Sequence, residues 1–145
     1  MAYPRAEIEE MLQRYMAANV KAEAEQDWRP IADFYTEDAR YGWSVDQNEE
    51  VVLQGREEIR RVVMDLEMVG FGGDGWIFPY QLNIIDTESG EVVGFYRYYT
   101  VKRRPDGSIY EAKGIHGSWF HYAGNFQWDW QRDFLDYGNM RALMG

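Results

Sequence analysis

Between residues 5 and 25 the apolar positions Ile8, Met11, Leu12, Tyr15 and Met16 recur at i, i+3, i+4, i+7 and i+8. That spacing gathers them on one face of a helix. Residues 27–37 predict a second helix, with Asp27 as N-cap and Ile31, Phe34 and Tyr35 as its buried side. "ARYGWSV" (39–45) and "EVVLQG" (50–55) read as two short strands. Gly55 opens a third helix, "REEIRRVVMDLEMV", whose apolar stripe is Ile59, Val62, Val63 and Leu66. From Trp76 onward the pattern is that of strands, over 76–86, 91–103, 109–122 and 126–136. The breaks between them, "DTESGE", "RPDGS" and "AGN", suit hairpin turns.

Three helices enclosing a small strand pair and followed by a four-strand meander predict an α+β domain, 1–145 as a single unit. The expected form is a cone-shaped α+β barrel: three N-terminal helices packed on a strongly curved, mostly antiparallel sheet. The "GFGGDG" break at 70–75 is no phosphate loop, because no Lys-Ser/Thr follows and a strand comes next.

Composition narrows the chemistry. Aromatic residues make up 17% of the chain, a surplus that suits either a ligand cavity or a β-rich core. The net charge of −10, with no basic stripe, argues against nucleic acid as a partner. The absence of Cys removes disulfides, thiol nucleophiles and thiolate metal sites, and fits a cytoplasmic protein. No apolar run is long enough to cross a membrane, and the acidic N-terminus is no signal peptide. With no HxH, no HExxH and two histidines of opposite strand parity, no metal site is expected.

Four stretches together carry a resemblance that covers essentially the whole chain. They are "MLQRYMAAN", "QDWRPIADFYTEDARY", "LQGREEIRRVV" and the late strand "FQWDWQRDFLDYGN". The chain resembles the nuclear-transport-factor-2-like superfamily, in its SnoaL-like, scytalone-dehydratase-like branch. That superfamily spans isomerases, dehydratases, cyclases, epoxide hydrolases, a formaldehyde-releasing lyase and non-catalytic binding domains, so the resemblance implies a fold more than a function. It implies a pocket between helices and sheet, acid/base work without a cofactor, and a homodimer or homotrimer formed through the outer sheet face.

Residue by residue, Tyr15 in "QRYMAAN" resembles a ketosteroid isomerase tyrosine that donates to a developing oxyanion. His116 falls where that pattern places an acid, and His suits proton transfer near neutrality. Dehydratase-like members pair such a His with an Asp at the start of helix two, a position matched by Asp27, which equally serves as a helix cap. His121, five residues from His116, should face outward on a regular strand, as should Lys113; a bulge at Gly117 would break that parity. Arg97, among mid-strand aromatics, and Arg132, on the parity of Trp128, Trp130 and Phe134, are candidates to steady a substrate oxygen or to pair structurally. Tyr41, Trp43, Phe78 and Tyr80 are candidate cavity walls.

The leading expectation is a cofactor-free lyase, either a dehydratase or a formaldehyde-releasing C–C lyase, acting on a small aromatic or polycyclic molecule such as a lignin-type aromatic dimer. His116 with Asp27 moves the proton, while Tyr15, Tyr41 or Arg97 holds the developing oxyanion. An isomerase or polyketide cyclase would instead need a cavity carboxylate, for which Asp46 or Asp33 would have to turn inward. A non-catalytic binding or assembly domain is the third reading.

Overall fold

The computed structural model describes residues 2–44, 49–68 and 76–139. Helix α1 (Arg5–Glu25) buries Ile8, Met11, Leu12, Tyr15 and Ala22, and ends on Gln26 in the left-handed region at φ 53°. The second helix expected over 27–37 is a six-residue 3-10 turn, Arg29–Phe34, and Tyr35 already lies in a strand. Pro30 suits the first turn of a helix but removes a donor. Pairing of Tyr35 with Trp128 then draws the chain into the sheet.

Strands β1 (Tyr35–Ser44) and β2 (Glu50–Gln54) form a hairpin. Helix α2 starts at Arg56, behind Gly55 at φ 91°, and from Arg60 to Glu67 it is wound as a π-helix. The wider turn changes which residues face inward. Ile59, Val63 and Met64 are buried, and Val62 is only half-buried.

Three of the four long strands expected from the sequence are each broken in the middle. The result is β3 (Trp76–Ile77) and β4 (Tyr80–Asp86), then β5 (Glu91–Tyr96) and β6 (Tyr99–Arg103), then β7 (Ile109–Glu111) and β8 (His116–Gly124). Strand β9 spans Gln127–Phe134. Pro79 interrupts one ladder, and Gly114 at φ 102° turns another. The main sheet runs β2-β1-β9-β8-β5-β4, and the broken-off ends make a small sheet, β3-β6-β7. All pairings are antiparallel except β1 with β9. The inner face of the main sheet, through Val92, Phe120, Tyr122 and Trp128, packs on α1 to form the core.

Among the described residues no helix is long and apolar enough to cross a membrane.

Candidate active site

The core is incomplete at one end. There the concave face of the sheet, α1, the 3-10 turn and α2 leave a cavity of about 130 Å³, room for about four water molecules at their liquid density. Trp28, Ile31, Val63 and Met64 wall the helical side; Tyr41, Trp43, Tyr80 and Tyr96 wall the sheet side. The polar groups in this lining gather around one carboxyl.

That carboxyl belongs to Asp133 on β9. Its Oδ2 accepts from the Tyr41 hydroxyl at 2.5 Å, and its Oδ1 accepts from Ser118 Oγ at 2.6 Å and Gln131 Nε2 at 2.8 Å. Burial pushes its pKa above the ordinary carboxylate value, against the three hydrogen bonds, which favour the charged form. Burial likewise raises the phenols around it: Tyr15 to about 12, and Tyr35, Tyr41, Tyr80 and Tyr96 well above 10.0. These hydroxyls therefore stay protonated at neutral pH and serve as donors.

The hydrogen bonds have a direction. Because the Gln131 amide nitrogen faces Asp133, its oxygen is left to accept from the Tyr35 hydroxyl. Tyr35 has one proton, so the 3.0 Å contact between Tyr15 and Tyr35 takes its proton from Tyr15. On the other side Ser118 spends its proton on Asp133, and the Tyr96 hydroxyl lies 3.4 Å from Ser118 Oγ. The donors of Tyr41, Ser118 and Gln131 thus converge on Asp133, with Tyr15 and Tyr35 feeding in behind Gln131, while the Tyr96 hydroxyl donates to the Gly117 carbonyl at 3.3 Å. Tyr41 is the phenol that lines the cavity and touches the carboxylate directly.

The fold matches solved structures along nearly its full length. A nuclear-transport-factor-2-like protein from Anabaena variabilis superposes with a TM-score of 0.64 at 14% identity, covering 92% of each chain. The nuclear-transport-factor-2-like fold is therefore the fold of this chain. A provisionally assigned SnoaL-like polyketide cyclase from Jannaschia sp. CCS1 gives 0.56 at 14% identity, over 90% of this chain and 91% of that one. The epoxide hydrolase/cyclase-like enzyme SalBIII, of pyran ring formation in salinomycin, gives 0.61 at 14% identity, over 90% and 92%. No protein-family model and no curated protein matches the sequence.

Within this nuclear-transport-factor-2-like cone, the residues singled out from sequence fall into two groups. Tyr15, Tyr41, Trp43, Phe78 and Tyr80 all line the cavity. His116, Asp27, Arg97 and Arg132 do not. His116 is buried, but its Nε2 lies 3.2 Å from the Ala112 carbonyl and its Nδ1 accepts the Asp136 backbone N–H at 3.1 Å. Both ring nitrogens are held by backbone at the corner where β7 gives way to β8, and the ring stacks on Tyr98 with centroids 5.6 Å apart. Asp27 lies exposed beyond the end of α1, where it accepts from both the backbone and the guanidinium of Arg29. The Asp27–His116 pair expected from sequence is not made.

Arg97 is half-exposed and forms a bidentate pair with Glu111, at 2.9 and 2.8 Å. Arg132 lies on the outer face and pairs with Glu50. Asp33 does not turn inward; it is exposed and pairs with Arg60. Asp46 lies outside the described residues. His121 and Lys113 are on the outside, His121 bonded to Asp129 at 2.6 Å and Lys113 lying 3.5 Å from Glu111. Among the described residues no three His, Asp or Glu side chains cluster as metal ligands would.

The sequence reading passed over Asp133 because of one extra residue. Tyr122 pairs with Trp128 and His121 with Trp130, so Asp129 is a bulge in β9. Beyond it the pleat reverses. Trp128 faces the core, but so do Gln131 and Asp133, while Arg132, opposite the exposed Trp119, faces out. Counting by twos from Trp128 puts Arg132 in the cavity and Asp133 outside. The usable signal was chemical: an Asp and a Gln two apart, flanked by aromatics, in a strand otherwise rich in Trp.

Proposed function

We propose that this protein is a cofactor-independent acid/base enzyme that moves a proton on an apolar, ring-bearing substrate, with Asp133 as the base and Tyr41 as the hydrogen-bond donor. The observation that carries this is one half-buried carboxyl facing the cavity, its pKa raised by desolvation, sharing a 2.5 Å hydrogen bond with a cavity-lining phenol.

A substrate carbon acid placed over Asp133 gives up its proton to the carboxylate. The electron pair moves onto the substrate's carbonyl oxygen. Once protonated, Asp133 no longer needs the Tyr41 proton, and that hydroxyl turns to donate to the new oxyanion. The enolate then takes the proton back from Asp133 at another carbon, as in an isomerase, or attacks a second carbonyl of the substrate, whose C=O π bond opens to an alkoxide that takes the Asp133 proton, as in a cyclase. The same pair also serves elimination: the carbon acid loses its proton to Asp133, the leaving hydroxyl takes the Tyr41 proton and departs as water, and Asp133 returns its proton to Tyr41 across their hydrogen bond, which makes a dehydratase. The isomerase or cyclase outcome is favoured, because the base is a carboxylate and His116 is occupied by backbone. The epoxide hydrolase/cyclase-like enzyme SalBIII, which shares the fold, supports that choice.

Turnover of a panel of β,γ-unsaturated ketones, poly-β-ketones and aryl diols by wild type and Asp133→Asn tests this reading. Turnover of a ketone class that is lost in Asp133→Asn supports it. Turnover of any class that survives the substitution overturns it.

The partner surface follows the same logic. Leu82 and Ile84 on β4 and Trp119 on β8 are exposed on the outer sheet face, and Val52 continues the face on β2. A homodimer or homotrimer through this face would cover them. Sedimentation of wild type against Trp119→Glu decides: a monomeric wild type removes the assembly.

A further inference from the structure

A second space lies against the first. It is a groove of about 340 Å³ between the outer side of α1 and the turn from β3 to β4. Asn19, Trp28, Phe78 and Tyr80 line both the groove and the inner cavity, so the two spaces adjoin along these four side chains. Beyond that wall the groove is apolar. Met16 and Val20 come from α1, Ile77 and Pro79 from the β3–β4 turn, and Tyr99 from β6. Tyr99 is backed by the Arg97 guanidinium, 4.7 Å from its ring centroid, and Arg97 is locked by Glu111. The far end of the groove is therefore stiff.

Two features say what the groove accepts. Val20 is 69% exposed, an apolar side chain on the solvent side of α1, with Met16, Ala17, Glu23 and Ala24 as its neighbours on the helix surface. Glu23 is the one acidic or basic side chain among the described walls, and burial raises its carboxyl above the ordinary range. The site offers no described cation to an anionic ligand, and the chain carries −10 overall.

We infer that the groove is a second binding subsite for an uncharged, apolar extension of the substrate, so that the natural substrate is an elongated molecule. Its reacting ring sits beside Asp133 and Tyr41, its body passes Asn19, Trp28, Phe78 and Tyr80, and its far ring rests between Val20 and Tyr99. This rests on the inner cavity being the reacting site, and deepens that reading by fixing the shape and charge of what enters.

The test uses three phenols with one head group: 2-naphthol, 6-phenyl-2-naphthol, and 6-(4-carboxyphenyl)-2-naphthol. Their affinities are measured by isothermal titration calorimetry on the full chain. Burying the added phenyl ring should tighten binding by about tenfold or more over 2-naphthol. The carboxylate should cancel that gain. Val20→Asp, at an exposed helix position that tolerates substitution, should abolish the gain while leaving 2-naphthol affinity within about twofold.

Equal affinity for 2-naphthol and its phenyl derivative, or a Val20→Asp loss shared equally by both, overturns the outer subsite and leaves the inner cavity standing. Absence of binding by all three phenols overturns both. A gain that survives Val20→Asp overturns the placement in this groove.

Discussion

The Tyr41 hydroxyl and the Asp133 carboxylate meet at 2.5 Å, though 92 residues separate them in the chain. Parallel pairing of β1 with β9 brings them together, setting Tyr41 beside Gln131 and Trp43 beside Asp133. An isolated buried carboxylate would be costly; one that collects three donors is held in a defined position, ready to accept a proton.

Asp133→Asn should abolish turnover by about 10²–10⁴, yet the variant should fold and melt higher than wild type at pH 7. Burial raises the pKa of Asp133 above the ordinary carboxylate value of 3.8. A folded-state pKa raised in this way favours folding below the unfolded pKa, and that contribution is lost as pH rises through the folded value. Asn removes the buried charge that opposes folding above that range. Thermal melts of both proteins from pH 3 to 8 check this: the advantage of Asn should shrink toward low pH, and an Asn variant that melts lower throughout contradicts it.

Tyr41→Phe should cost about 10² in kcat and move the acid limb of the pH–rate profile upward. With one donor gone, the charged form of Asp133 is less favoured, so its pKa rises further. A profile that drops in height without moving would show that Tyr41 does not act on Asp133.

His116→Ala should destabilise the fold by about 2–4 kcal/mol, read by urea denaturation, because it empties a buried site and releases two backbone hydrogen bonds. The pH profile of the residual activity should match wild type. A shifted profile would return His116 to the chemistry.

Gly94→Ala acts on a wall of the cavity from behind. A Cβ there would stand 2.5 Å from Tyr80 Cε1 and 2.6 Å from Cδ1. The ring has to leave its place in the lining, at a cost of about 1–3 kcal/mol. Ligand affinity should fall with it. Unchanged affinity in a folded Gly94→Ala protein would show that Tyr80 is not part of the binding wall.

His121 gives a pH effect of opposite chemistry on the outer face. Burial alone would lower its pKa, but the Asp129 bond at 2.6 Å and the Ser89 carbonyl raise it above 6.5. The charged pair therefore stabilises the fold below the unfolded value and is lost as pH rises through the raised one. Melts between pH 6 and 9 should show a decline that His121→Asn lacks.

How much of this was readable from sequence differs by element. Helix α1 and the hairpin turns announce themselves through spacing and turn residues, and the cone follows from their order. Tyr41, Trp43, Phe78 and Tyr80 line the cavity, since aromatic walls are a matter of composition and parity over short strands; Tyr15, on α1, stands out through the resemblance of its helix. Strand breaks at Pro79 and Gly114 were passed over, since a single continuous apolar pattern runs through each. The π-winding after Arg60 was invisible for the same reason. Asp27 was read as half of a catalytic pair, but a residue two positions after a helix end finds its nearest partner, Arg29, locally.

The bulge at Asp129 has a consequence for descent as well as for geometry. Two neighbouring residues of opposite charge, Asp133 and Arg132, stand on opposite sides of one strand, and the count between Trp128 and Gln131 decides which of them the cavity sees. Straightening the strand at Asp129 with its length unchanged would exchange a proton acceptor for a guanidinium and turn a site for carbon acids into a receptor for anions, whereas loss of the bulged residue would leave Asp133 facing the cavity. In this chain the shortest route between two chemistries is a change in how one strand pairs, with every side chain kept.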